Sequence, residues 1–227
     1  MSKCLFVGGT ATDVGKTFIS ALIVKTLRKA NINAGYYKAA ASGVILDQNG
    51  KLVDGDPIFV NNFAHIGEDT ENLVSYVYAQ PVSPHLAARI NDKPIKFDVV
   101  ERDFNRAKNK YDFLVVEGSG GVVCPLRWEN SERLMVLDIV KAFNLPILLV
   151  ADAGLGTINS VVLTVDYLRH YNFNVNSIIL NHFRNELMEC DNLNMIEQMT
   201  DLPVVAKVRH GDSILQIDVE ELKNLFL

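Results

Sequence analysis

Short apolar runs alternate along this chain with longer segments in which apolar residues recur every three or four positions. CLFVGG (4–9) predicts a strand, and residues 16–30 predict a helix with Ile19, Leu22, Ile23 and Leu27 on one face. A second strand is expected at NAGYYK (33–38). Residues 39–55, rich in Gly, Ala, Ser and Asp, read as a loop, and a short helix follows near 56–65. LVSYVY (73–78) is β-rich but ambiguous, Ser83-Pro84 opens a helix over 83–90, and 97–109 reads as an exposed helix. YDFLVVEG (111–118) predicts a fully buried strand, followed by the loop GSGGVVCPLRWEN and a helix near 131–143. LPILLVA (145–151), a helix at 157–170, VNSIILN (175–181), a helix at 185–199, LPVVAKV (202–208) and a short last helix within 218–226 complete the alternation.

Strands that are apolar on both faces and alternate with helices predict an α/β fold. Its mostly parallel central sheet would carry helices on both faces. Right-handed crossovers put all the strand C-terminal ends on one edge, where ligands bind in open α/β sheets. No internal repeat, low-complexity segment or linker interrupts the pattern, so residues 1–227 are expected to form one domain.

Composition narrows the function classes. Of 227 residues 48% are hydrophobic, enough for a sizeable core. A formal net charge of −5 argues against nucleic acid as a general partner. The cysteines Cys4, Cys124 and Cys190 are odd in number and widely spaced, which implies no disulfide framework and points to a reducing cytoplasm. No apolar run is long enough to span a bilayer, and the N-terminus lacks the features of a secretory signal. A soluble cytoplasmic protein with no membrane partner is expected. No cysteine pair has metal-ligand spacing and no H-E-x-x-H occurs.

Five stretches carry candidate chemistry. GGTATDVGKT (8–17) sits between a strand and a helix, the context of a phosphate-binding loop. Its backbone N–H groups would surround phosphate oxygens, Lys16 would reach the β- and γ-phosphates, and the Thr17 hydroxyl would bind Mg²⁺. The spacing from Gly9 to Gly15 is one residue longer than in the common G-x-x-x-x-G-K-[ST] form, so a longer loop is expected. Glu117, at the end of YDFLVVE and followed by Gly-Ser-Gly-Gly, is either a Mg²⁺ ligand or a solvated strand end. Lys38 ends the second strand at the same edge, where an ammonium could stabilise charge developing in phosphoryl transfer. Asp56 in VDGDP is either a helix N-cap or a metal ligand. ADAGLGTINS (151–160) is a strand tip, a glycine-rich turn and a helix start, read equally well as an ordinary βα turn or as an anion site.

In order, GTATDVGKT, YKAAASG, DGDP, SPHLAA, VVEGSGG and LGTIN resemble the dethiobiotin synthase family from Gly9 to about Gly211. The G-x₅-G-K-T loop is that family's form. The resemblance implies an ATP-dependent cyclising ligase that joins CO₂ to 7,8-diaminononanoate (7,8-diaminopelargonate) and closes a ureido ring in biotin biosynthesis. It implies Lys38 and Lys16 as the catalytic cations and Thr17, Asp56 and Glu117 as Mg²⁺ ligands. Asp13, Val14, Gly15, Lys16, Thr17 and Phe18, with Glu117, Gly118, Ser119 and Gly120, would line the triphosphate of ATP. Thr12 and Ser42 would contact the carbamate or diamine, and Asn181 the nucleotide base. A homodimer is implied, with Leu155, Gly156, Thr157, Ile158 and Asn159 of the facing subunit holding the substrate carboxylate. The chain departs from the pattern at Ala11, where aspartate is common, and at Ala39, where proline is. It departs further at VRHGDS (208–213), where Arg209, His210 and Gly211 would lie by the base in place of a proline-led segment.

Other readings explain less. A plasmid- or division-site switch ATPase usually carries a lysine at the very start of the loop, where this chain has Val7-Gly8-Gly9-Thr10. A cobyrinate-type amidotransferase needs a glutaminase domain for which the chain is too short. A small-molecule kinase leaves LGTIN and SPHLAA unexplained.

Overall fold

The computed structural model describes residues 2–226. In chain order the elements are β1 (Lys3–Gly9), α1 (Lys16–Lys29), β2 (Ala34–Ser42), β3 (Ile45–Leu46), β4 (Leu52–Asp54) and α2 (Asp56–Phe63). Then come β5 (Val74–Tyr78), α3 (Pro84–Ile90), α4 (Phe97–Lys110), β6 (Phe113–Glu117), β7 (Pro125–Trp128), β8 (Arg133–Met135) and α5 (Val136–Ala142). The chain ends with β9 (Ile147–Asp152), α6 (Thr157–His170), β10 (Val175–Asn181), α7 (Leu187–Thr200), β11 (Val204–Lys207) and α8 (Val219–Asn224).

Among the described residues seven strands form one sheet in the order β11-β10-β9-β1-β6-β2-β5, and every pairing in it is parallel. The pattern predicted this arrangement, and its cause is visible in burial. Six of the seven β1 residues are buried, as are Ile147–Ala151 of β9, because helices cover both faces. β1 lies in the middle, with β6, β2 and β5 on one side and β9, β10 and β11 on the other. The connections change direction at β1, so the crevice above its C-terminal end is the switch point where α/β sheets hold ligands.

Three expectations need correction. The stretch 39–55 is not a loop throughout. β2 continues to Ser42, and β3 and β4 then pair as a small antiparallel hairpin. Ala39–Ala41 are weak strand formers, but Ala40 pairs with Tyr76 and Ala41 with Val77, so the sheet overrides propensity. The helix expected at 131–143 is shorter: residues 133–135 form β8, paired with β7 inside the predicted glycine-rich loop. Both hairpins are too short for a period-2 pattern to register. Finally, α4 is not exposed all round. It buries Val100, Asp103, Phe104 and Ala107 on one face.

Gly35 illustrates how closely the layers pack. A Cβ there would lie 2.2 Å from the Tyr111 ring, which is anchored by a 2.8 Å hydrogen bond from its hydroxyl to Glu68. Neither the β2 backbone nor the tethered ring can yield. Gly35→Ala should therefore destabilise the protein by about 1–3 kcal/mol or more, the cost of overpacking. Urea denaturation would measure it, and an unchanged midpoint would contradict this packing.

Candidate active site

Lys38 and Glu117 are register partners on adjacent parallel strands, so their side chains leave the sheet on the same face. Both are buried; Glu117 is the last residue of β6, whereas Lys38, expected to end its strand, lies in the middle of β2, which runs on to Ser42. Lys38 Nζ donates to Glu117 Oε1 at 2.6 Å and also to Asp56 Oδ2, which the start of α2 brings in from above. Two residues back along β2, and hence on the same face, Tyr36 donates to Glu117 Oε2 at 2.9 Å. The Thr17 hydroxyl donates to Glu117 Oε1, also at 2.9 Å. Glu117 thus receives three donors, as a buried carboxylate must.

Protonation follows from these contacts. Burial opposes the charge on Lys38, but Glu117 and Asp56 outweigh it and hold the ammonium above its ordinary value. Burial would raise the Asp56 carboxyl, yet Lys38 pulls it below the usual range. Burial and the Glu117 charge push the Tyr36 phenol well above its ordinary value, so it remains a donor. Lys16 differs: burial lowers it, against the pull of Glu117.

The opening loop arches over the tip of β1. Gly15 has φ 92° and caps α1, whose first residue is Lys16. Lys16 Nζ is held by the Ala11 carbonyl at 3.0 Å, across the loop. Asn181, at the end of β10, braces the loop from below by donating to the Val14 carbonyl at 3.0 Å. A Cβ at Gly15 would lie 2.0 Å from the Asn181 amide nitrogen. Glycine is required there on two counts: the left-handed backbone and the closeness of Asn181.

Gly15, Lys16, Thr17, Lys38, Asp56 and Glu117 line a cavity of about 580 Å³, which also takes in Thr12, Asp13, Phe18, Ser42, Ser119 and Gly120, while Tyr36 and Asn181 support it from outside its lining. A second cavity of about 610 Å³ shares Thr12, Asp13, Ser42 and Gly120 with it and runs on past Pro81–Pro84 and Cys124. Burial pushes the Cys124 thiol up to about 11, so it is a packing residue rather than a nucleophile at neutral pH. The first cavity holds four carboxylates, from Asp13, Asp54, Asp56 and Glu117, against the ammonium groups of Lys16 and Lys38. Such a site repels a polyphosphate unless a cation enters with it. Thr17, Asp56 and Glu117 offer hard oxygen donors of the kind Mg²⁺ takes, and their small number suits an ion that keeps water and phosphate ligands. Among the described residues no group of three or more His, Cys, Asp or Glu side chains forms a protein-only metal site.

The remaining candidates lie elsewhere along the same edge. Leu155–Asn159 form the turn and first residues of α6 and line neither cavity. Leu155 is 93% exposed, whereas Thr157 is buried. Val14 and Gly118 are buried parts of the loop and of the β6 end. Arg209, His210 and Gly211 form an exposed turn after β11, closed by Asp212 accepting from the Arg209 N–H at 2.8 Å. His210 borders a third cavity, of about 310 Å³, with Asp152 and His182. Sequence reasoning missed the pairing of His182 Nδ1 with Asp152 Oδ2 at 2.6 Å, along with Tyr36, Asp54 and Phe59. Tyr36 alone had a signal: two positions before Lys38 in a strand, it faces the same way.

A family model described as an AAA domain matches residues 3–216. The chain is 46% identical to the ATP-dependent dethiobiotin synthetase of Clostridium botulinum (strain Alaska E43 / Type E3), over 100% of this chain and 99% of that protein. It is 42% identical to the protein of the same name from Brachyspira hyodysenteriae (strain ATCC 49526 / WA1), over the whole of both chains. Among solved structures, the MinC:MinD cell division protein complex of Aquifex aeolicus superposes with a TM-score of 0.56 at 13% identity, covering 98% of this chain and 86% of that one. The ParA family ATPase of Chlorobium tepidum gives 0.55 at 11% identity, covering 99% and 89%. At such identities these likenesses speak to the fold alone.

The coupling of Lys38 and Glu117 can be measured. Lys38→Met leaves Glu117 buried without its cation and should cost about 3–5 kcal/mol, the price of breaking a buried pair. Adding Glu117→Gln should recover part of that loss, because the uncompensated charge is gone. Urea denaturation of the two single variants and the double variant gives the cycle; strictly additive losses would contradict the pairing.

Proposed function

The chain belongs to the ATP-dependent dethiobiotin synthetase family, and on that premise we propose that the cleft at the strand tips binds MgATP and builds a ureido ring. As a member of that family the protein is an ATP-dependent ligase forming carbon–nitrogen bonds in biotin biosynthesis. The observation that carries the site assignment is Lys38, a buried ammonium held between Asp56 and Glu117 in the same cavity as Lys16 and Thr17 of the phosphate-binding loop.

The chemistry runs in three steps. One amine of 7,8-diaminononanoate forms a C–N bond to CO₂ and loses a proton, giving a carbamate. A carbamate oxygen then attacks the γ-phosphorus of ATP, ADP leaves, and a carbamic–phosphoric anhydride results. The second amine attacks the carbonyl carbon, closes the ring and expels phosphate. Each step asks the protein for charge neutralisation and positioning more than for covalent chemistry. Lys38 would offset the carbamate and the moving phosphoryl group. Its raised pKa suits it to act as a fixed cation rather than as a base. Lys16 would serve the phosphates from the other side, with the N–H groups of the loop.

Thr12 and Ser42, shared by the two adjoining cavities, would hold the carbamate or diamine. Thr17, Asp56 and Glu117 would hold Mg²⁺, which would supply positive charge to the phosphate oxygens. Asn181 and the Arg209–Gly211 turn would lie towards the base. Two copies would form a homodimer in which Leu155–Asn159 of the second copy receives the substrate carboxylate at the positive end of α6. Leu155, 93% exposed at that turn, leaves the start of α6 open to contact with a second copy. We place the enzyme in the cytoplasm as a single ligase domain, a reading that the free Cys4, Cys124 and Cys190 support.

The test is phosphate release by purified protein with MgATP, bicarbonate and 7,8-diaminononanoate, omitting each component in turn. Release should require all of them and yield a cyclic urea by mass spectrometry. Release indifferent to the diamine would overturn the ligase reading in favour of a switch ATPase.

A further inference from the structure

A fourth cavity, of about 300 Å³, lies under the β3–β4 hairpin, beside β5, and none of its lining residues belongs to the nucleotide cleft. Its two ends differ in chemistry. The floor carries the apolar side chains: Leu52 and Val74 are buried and Val77 packs beside them, in a small hydrophobic cluster separate from the main core, with the hydroxyls of Ser75 and Thr70 alongside. The rim carries Lys51, Arg102 and Arg106, against which stand the carboxylates of Asp103 and Glu71.

The arginines are held in place. Asp103, on the buried face of α4, accepts from Arg102 Nε at 3.0 Å and lies 3.4 Å from Arg106 Nη2. Arg106 Nη2 also donates to the Glu71 carbonyl at 3.1 Å. One turn apart on the helix, the two guanidiniums are tied at one corner each by groups that are already fixed. A guanidinium has five N–H donors, so several on each remain for a ligand. Lys51, on the hairpin opposite, makes no side-chain hydrogen bond or ion pair among the described residues and is exposed. Three cations over two carboxylates leave the rim positive, in a chain whose net charge is −5.

We propose that this cavity binds a small amphiphilic carboxylate, with its anionic head among Lys51, Arg102 and Arg106 and a short hydrocarbon body on Leu52, Val74 and Val77. Planar guanidiniums match the two oxygens of a carboxylate, and the apolar floor distinguishes such a ligand from a bare inorganic anion. The site owes nothing to the ligase reading, since no residue of it serves that chemistry.

Hexanoate is a suitable probe, with acetate as head alone and hexanol as body alone. Binding is read from the methyl NMR signals of Val74 and Val77 in the intact protein. Hexanoate should move those signals saturably, and acetate and hexanol should do so only at much higher concentration. Lys51→Gln should weaken hexanoate binding about threefold to fivefold, the scale of one exposed charge contact, and Arg102→Gln at least as much. If Arg102→Gln fails to fold because Asp103 loses a partner, Lys51→Gln decides alone. Unmoved methyl signals, equal response to hexanol, or unchanged affinity in Lys51→Gln would each overturn the proposal.

Discussion

The ion pair between Lys38 and Glu117 is the contact from which the rest of the cleft is organised. It exists because β2 and β6 are parallel neighbours in a register that sets these two residues side by side. Burying either charge alone would cost several kcal/mol, and the pair persists because each charge is met. Glu117 takes hydrogen bonds from Tyr36, Thr17 and Lys38, and Lys38 reaches on to Asp56. Four elements, β2, β6, α1 and α2, are thereby tied at one point on the sheet edge. The phosphate-binding loop needs that point fixed, because Thr17 is both in the network and one residue past Lys16.

Charge balance then shapes what the cleft accepts. Four carboxylates and two lysines make an anion-repelling site in isolation, and on the proposed reading a divalent cation entering with the nucleotide would offset that charge. Lys38 is the cation that the two inner carboxylates, Asp56 and Glu117, hold between them. A group poised this way is charged across the neutral range and can turn to a substrate oxygen without gaining or losing a proton. The loop above is kept in shape from below by Asn181, whose amide leaves no space for any residue but glycine at position 15.

Much of this was legible in the sequence. Fully apolar runs such as LPILLV could only be strands covered on both faces, and that implies a parallel sheet and one functional edge. GGTATDVGKT, read with the strand before it and the helix after, located the loop in spite of its extra residue. Lys38, Asp56 and Glu117 stand out singly in the sequence, Asp56 and Glu117 each against a reasonable structural alternative, and the fold brings the three together. What the sequence concealed depends on pairing across distance. The Asp152–His182 contact joins two strand ends thirty positions apart. The hairpins of β3–β4 and β7–β8 are only two to four residues per strand, too short for any period to register. Asn181 bracing Val14 joins residues 167 positions apart, and no local pattern marks it.

The most direct measurement is a single-turnover rapid-quench experiment on a folded Lys38→Gln variant, with nucleotide and diamine binding measured separately. If Lys38 is the cation that offsets the charge developed in phosphoryl transfer, binding should stay close to that of the unaltered protein. The chemical step should slow by about 10²–10³-fold, the loss typical of removing one preorganised electrostatic contact. A chemical step of unchanged rate, with the loss confined to binding, would contradict the account and leave Lys38 as a structural counter-ion to Glu117.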